Sequence, residues 1–267
     1  IGALEYIIQF MRIGIFTDTF FPQINGVVTS IQASVDYLTD QGHEVYIFCP
    51  NVTPKLESTE TVWRFPSVVY PFLKEHRLVL PFHRKLNKID ELGLDLLHIH
   101  TPFTMGYVGL RVAKKLGLPV VHTYHTYFEK YLHYFPILPE KWVHKYAKKE
   151  SERFCNQCDH IIVPSDEMNK QLSTYKIHRP IETIPTGISR LTVDASAQDE
   201  MRQRYHLKAD HLCVFVGRLG HEKNIYFLVN AFEKMRQSLP NLHLLLVGDG
   251  PEYKPLKKVI KSKGLID

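Results

Sequence analysis

Short apolar runs alternate along this chain with segments whose apolar residues recur every three or four positions. That alternation predicts an α/β protein with a doubly wound parallel sheet. Near the amino end, residues 12–17 read as a strand, Pro22 and Asn25-Gly26 as turn residues, and Ile31, Val35 and Leu38 as one face of a helix stopping near Gly42. A second strand follows over Glu44–Cys49. Further strands are expected over Asp95–His100, Val120–Tyr124, His160–Val163 and Ile181–Ile184. Helices are expected over Phe103–Leu116, Glu140–Cys155 and Asp166–Tyr175, the last capped by Ser165. After Pro185-Thr186-Gly187 the pattern lapses, and residues 189–210 read as a polar linker. A second αβ run holds a strand over His211–Val216, a helix from Asn224 with Ile225, Leu228, Val229, Phe232 and Met235 on one face, a strand over Leu242–Val247 and a helix beyond Pro251. The expected organisation is an extension over 1–10 before Met11, a complete domain over 11–188, a linker over 189–210 and a partial second domain over 211–267. A parallel sheet of two strands leaves faces uncovered, so the second domain is expected to be a fragment or to need a partner.

Composition adds limits. With 44% apolar and 23% charged residues, 267 residues are enough for one large or two modest soluble domains. A net charge of +5 is too small by itself to argue for nucleic acid. The four cysteines, Cys49, Cys155, Cys158 and Cys213, are too few and too irregular for a secreted disulfide scaffold, which fits a reducing cytoplasmic setting. Cys155-x-x-Cys158 has no second pair to complete a zinc site and reads as buried thiols. His98 and His100 share one face of an apolar strand, where a metal site is the minority reading. No metal or cofactor is expected. The apolar stretch over 1–10 is too short to span a bilayer, which needs roughly 20 apolar residues, and lacks a basic leader.

The densest chemistry lies in Gly217-Arg218-Leu219-Gly220-His221-Glu222-Lys223-Asn224, which puts two cations where an apolar strand gives way to a helix. Ligands of such sheets bind outside the carboxyl ends of the strands, glycine allows close backbone approach, and the arginine fork with the lysine point charge suits a diphosphate. A solvated basic turn is the plainer reading. Gly26 stands just before a helix whose unpaired backbone donors suit an anion. No Gly-x-Gly-x-x-Gly is present, which disfavours a standard dinucleotide fold.

Six pieces in order resemble glycosyltransferase family 4. They are Phe16-Thr17-Asp18-Thr19-Phe20-Phe21-Pro22 with Asn25-Gly26-Val27, His98-Ile99-His100-Thr101-Pro102, His122-Thr123-Tyr124-His125-Thr126, Ile184-Pro185-Thr186-Gly187-Ile188, Gly217-Arg218-Leu219 with Glu222-Lys223-Asn224, and Gly248-Asp249-Gly250-Pro251. Within the family the likeness is greatest to bacterial diacylglycerol glucosyltransferases, which make membrane glycolipids and lipoteichoic acid anchors. The resemblance implies a retaining hexosyltransferase of GT-B type, with two facing Rossmann-like domains and a UDP-sugar donor. It places Arg218 and Lys223 on the donor diphosphate, Gly26 against the donor phosphates, Gly187 in a donor-side turn and His125 on the donor sugar. Asp18 lies in the loop expected on the acceptor side, where it either orients the incoming hydroxyl or stabilises a turn. The family's Glu-x7-Glu segment is not found before residue 267, and Ser189 stands where an acidic residue is usual. On this reading the chain alone binds donor poorly.

Lys141, Lys145, Lys148 and Lys149 lie beside Trp142, Val143 and Tyr146, and the stretch from Tyr70 to Phe82 also mixes cations with bulky apolar groups. Both are expected to rest on an anionic membrane, placing the protein peripherally on the inner face of the cell membrane. The alternatives are a soluble or protein acceptor, in which case Trp142, Phe72 and Leu73 are buried, or a module that binds only nucleotide or a partner.

Overall fold

The computed structural model describes residues 9–52, 56–70, 73–79, 84–125, 140–187, 194–205 and 211–265. The chain divides into two compact units, 1–189 and 190–267.

In the first unit, strands β1 (Arg12–Phe16), β2 (Glu44–Pro50), β3 (Val62–Phe65), β6 (Leu96–Ile99), β7 (Val120–Thr123), β8 (His160–Val163) and β9 (Ile181–Thr183) form one sheet in the order β3-β2-β1-β6-β7-β8-β9. Every pairing is parallel. Alternate residues of β1 face opposite sides. Ile13 and Ile15 pack with Val28 and Ile31 of helix α1 (Gly26–Asp40), whereas Phe16 joins Met105 and Val108 of α2 (Thr104–Leu116) and Phe154 of α3 (Glu140–Cys155). The sheet is therefore covered on both sides, as its near-continuous apolar strands require. α2 presses closely on the sheet at Gly109, where a Cβ would lie 2.9 Å from the Phe16 ring, and on the segment leaving β6 at Gly106, where it would lie 2.1 Å from the Thr101 carbonyl oxygen. The strand order reverses between β1 and β6, which opens the crevice that such folds use for ligands.

Several features depart from the sequence pattern, the edge strand β3 among them. The stretch read as a membrane-facing segment overlaps an antiparallel hairpin, β4 (Ser67–Tyr70) with β5 (Leu73–Val79). Pro71 interrupts the alternation that would have revealed it, and Pro71, Phe72 and Leu80–His83 lie outside the described residues. A 3-10 segment over Arg84–Leu92 follows. Helix α4 runs over Asp166–Leu172, capped by Ser165, whose hydroxyl accepts from the Met168 amide at 3.3 Å. It stops three residues short of Tyr175.

The second unit pairs β10 (His211–Val216) with β11 (Leu242–Val247) in parallel. Leu219, Ile225, Val229 and Leu256 form its core with helices α6 (Ile225–Arg236) and α7 (Tyr253–Ser262). Met235, expected on the buried face of α6, is exposed. The expected linker holds a helix, α5 (Ala195–Arg204). Its weak amphipathicity hides it from a periodicity argument, but Asp194 caps it by accepting from the Ser196 amide at 2.9 Å.

Candidate functional site

At the point where the strand order reverses, the segments leaving β1 and β6 are tied together. The Asp18 amide donates to Thr101 Oγ1 at 2.7 Å, and that hydroxyl donates to Asp18 Oδ2 at 2.7 Å. Asp18 Oδ1 accepts from Thr104 Oγ1 at 2.6 Å and from the Met105 amide at 2.9 Å. Phe103, at the N-cap of α2, offers no side-chain oxygen, so Asp18 caps that helix from the segment after β1. Burial pushes its carboxyl pKa up, against these hydrogen bonds, which pull it down. Asp18 is only 3% exposed and both its oxygens accept hydrogen bonds, an arrangement that matches the turn-stabilising one of its two expected roles.

α1 begins in the same region. Asn25 Oδ1 accepts from the amides of Val27 and Val28, both at 3.0 Å, and Asn25 Nδ2 donates to Thr19 Oγ1 at 2.8 Å. Gly26 is thus the first helical residue, and two of the donors expected to await an anion are already engaged. A Cβ on Gly26 would meet nothing within 4 Å, so no neighbour demands the glycine; it leaves open space above the helix start.

The carboxyl ends of β6 and β7 gather four histidines. His98, His100 and His125 lie on the α1 side of the sheet together with Thr123, as alternation and the His98–Val121 register dictate. His98 Nε2 lies 2.7 Å from Thr123 Oγ1, and His100 Nδ1 lies 2.8 Å from His125 Nε2. The rings of His98 and His100 are 4.1 Å apart and those of His100 and His125 are 5.1 Å apart. His122 faces the other side, donating from Nδ1 to the Ile99 carbonyl at 2.8 Å beside the ring of Phe154. Burial holds all four neutral: His98 is lowered to about 3, His122 and His125 to about 4, and His100 well below the ordinary value. Among the described residues no group of three His, Cys, Asp or Glu side chains converges to hold a metal ion. Sequence reasoning singled out His125 but not the support beneath it. The signal was available in the matched two-residue spacing of His98, His100, Thr123 and His125. The buried thiols of Cys155 and Cys158 belong to the core, as their spacing implied, and burial pushes the Cys155 thiol up to about 12.

In the second unit the loops after β10 and β11 abut. A Cβ on Gly248 would lie 1.9 Å from the Gly217 carbonyl oxygen, so only glycine fits, and the Leu219 amide donates to the Asp249 carbonyl at 2.8 Å. These contacts fix the backbone on either side of Arg218. Its Nε lies 4.0 Å from Glu222 Oε1, a carboxylate that folds back over Gly220 and that sequence reasoning left without a role. Lys223 is exposed in a 3-10 turn over His221–Lys223, which ends at Asn224 in the left-handed region. Gly187 follows β9, exposed, with open space where a side chain would stand; Ile188 to Val193, including Ser189 and Arg190, lie outside the described residues.

On α3, Lys141, Trp142, Lys145, Tyr146 and Lys149 fall within an arc of about 140° at 100° per residue. Trp142 is 76% and Tyr146 69% exposed, and Lys141, Lys145 and Lys149 are exposed with them. Lys148 departs from this face. It reaches the turn after α4, donating to the Thr174 carbonyl at 3.3 Å with its ammonium 4.7 Å from the Tyr175 ring centre. Among the described residues no helix is long and apolar enough to cross a membrane.

Comparison with known proteins agrees with this layout. The sequence profile described as Glycosyltransferase Family 4 matches residues 24–190, and that described as Glycosyl transferases group 1 matches residues 197–267. The chain is 36% identical to the alpha-monoglucosyldiacylglycerol synthase of Acholeplasma laidlawii, the match covering 95% of this chain and 67% of that protein. It is 34% identical to the alpha-monoglucosyldiacylglycerol synthase of Streptococcus pneumoniae, covering 96% and 60% respectively, so it spans about two thirds or less of the length of these relatives. Among solved structures, sucrose-phosphate synthase from Thermosynechococcus elongatus matches with a TM-score of 0.66 at 18% identity, covering 96% of this chain and 68% of that one, a likeness that places the fold in the GT-B type. With both units matched in order by sugar-transferase profiles, the chain belongs to glycosyltransferase family 4, a family of hexose-transferring enzymes.

Proposed function

We propose that the protein transfers a hexose, glucose in the first instance, from a UDP-sugar to a membrane lipid such as 1,2-diacylglycerol, with retention at the anomeric carbon, at the anionic inner face of the cell membrane. The identity of 34–36% to two monoglucosyldiacylglycerol synthases carries this reading. The exposed indole and phenol of Trp142 and Tyr146, set among Lys141, Lys145 and Lys149, support the surface assignment, since aromatic rings suit the membrane interface and lysines suit anionic headgroups.

In the proposed reaction the acceptor hydroxyl oxygen bonds to the anomeric carbon as the bond from that carbon to the diphosphate breaks. The hydroxyl proton passes to the departing phosphate oxygen. Arg218, steadied by Glu222, and Lys223 neutralise the charge that gathers on the diphosphate. Gly26 leaves room for the phosphates at the start of α1, and His125 holds the sugar by a hydrogen bond. On this reading the protein's contribution is alignment and electrostatic stabilisation.

The test is transfer from radiolabelled UDP-glucose to diacylglycerol in vesicles containing phosphatidylglycerol, with α- or β-linkage of the product read by NMR. An α-glucosyl lipid is expected. Transfer to a soluble sugar or peptide with none to lipid would replace the lipid acceptor, and a β-linked product would remove retention.

A further inference from the structure

We propose that His100 is a positioning residue for His125: its Nδ1–H donates to His125 Nε2 and fixes His125 as the Nδ1–H tautomer, which turns a hydrogen-bond donor outward. The two nitrogens are 2.8 Å apart, and one must donate while the other accepts. Which way the bond runs is decided by the far side of the His100 ring. His100 Nε2 is buried and has no hydrogen-bond partner among the described residues. If His125 donated, His100 would carry its proton on Nε2, and a buried N–H would be orphaned. If His100 donates, only a lone pair is left unmatched, which is the smaller penalty because buried donors without partners are the rarer exception.

The same chain shows the second arrangement where it is forced. His122 must be protonated on Nδ1, because its partner there is the Ile99 carbonyl, and its Nε2 is likewise buried without a partner among the described residues. The fold thus already accommodates one bare Nε2 lone pair in the neighbouring strand. Burial keeps His100 and His125 neutral, so neither ring carries a second proton that would change the count. The contact between the His98 and His100 rings at 4.1 Å, with His98 held by Thr123, prevents His100 from swinging away. His125 is partly exposed, and on this proposal its Nδ1–H is the donor offered to a ligand oxygen.

The consequence rests on the transferase reading. A sugar hydroxyl or ring oxygen would receive a hydrogen bond from His125 Nδ1 in a fixed direction, and the residue setting that direction is His100. Such orientation by a neighbour is how buried partners fix the tautomer of functional histidines.

The experiment has two independent readouts. Long-range proton–nitrogen NMR of the intact chain labelled with nitrogen-15 histidine, assigned with H100N and H125Q, reports each tautomer directly. Wild-type His125 and His100 are both expected to be protonated on Nδ1. In H100F, which removes the donor while filling the space, His125 is expected to become a mixture of tautomers. His125 protonated on Nε2 in the wild type, or an unchanged tautomer in H100F, would overturn the proposal. In the transfer assay H100F is expected to lower kcat on the order of 100-fold, as misplacement of a catalytic contact does, with little change in the KM for lipid. H100N places an amide N–H where Nδ1 was and is expected to recover activity to within about tenfold, whereas H100Q, which places it at the Nε2 position, is not. Equal activity of H100N and H100Q would also overturn the proposal. If the wild type, assayed as the whole protein and not as these 267 residues alone, transfers no sugar, the transferase reading fails while the tautomer result stands by itself.

Discussion

At the scale of single residues, Asp18 and Lys223 show how position separates two kinds of importance. Asp18 is sealed at the start of α2, with its carboxylate shared among Thr101, Thr104 and the Met105 amide. Replacing it by alanine strands those donors and is expected to cost about 2 kcal/mol of stability in denaturant unfolding. Lys223 is exposed, and K223A is expected to leave the unfolding midpoint unchanged while turnover collapses. A stable D18A enzyme with no turnover would return Asp18 to the reacting groups. An active K223A enzyme would remove the lysine from the diphosphate. The sequence could place both residues after strands, but not tell them apart, because whether a carboxylate is spent on a distant helix depends on contacts 83 to 87 positions away.

Among elements, α3 makes the sharpest prediction. Neutralising Lys141, Lys145 and Lys149 together is expected to abolish salt-sensitive binding to phosphatidylglycerol vesicles in a flotation assay, because surface charge acts only within a screening length. Changing Lys148 alone is expected to have little effect on binding, since its ammonium is engaged with Thr174 and Tyr175. Equal losses from the two variants would mean that the arc around Trp142 is not the docking face. Periodicity made the long elements legible: β1, α1, β6, α2, β7 and α3 all fall where the apolar spacing put them, within a residue or two. It missed the β4–β5 hairpin, where Pro71 breaks the alternation, and α5, which has little apolar face to advertise. The candidate site was legible as residue types at strand ends. Its internal wiring, Asn25 on the α1 amides and His100 on His125, was not, because hydrogen-bond partners follow from register and rotamer.

For the whole molecule, acid sensitivity is concentrated in the first unit, which holds all four neutral histidines of the cluster. Their folded pKa values lie below the ordinary 6.5, so the unfolded chain binds more protons as the pH falls through 6.5. Stability from keeping them neutral is complete above that pH and is lost progressively below it, as the pH falls toward the lowered folded pKa values. Asp18 works in the opposite sense, because protonation relieves its burial. Hydrogen exchange at pH 7 and pH 5 is expected to show β6 and β7 losing protection on acidification, and equal protection at both would contradict the neutral cluster.

The chain contains two tryptophans, and both stand in the first unit: Trp63 edge-on to Phe48, and Trp142 on the open arc of α3. Nature has therefore supplied this protein with its own optical reporter. Emission from the outer indole should move to shorter wavelength and be quenched by brominated acyl chains as bilayer is added, over a constant background from the inner one.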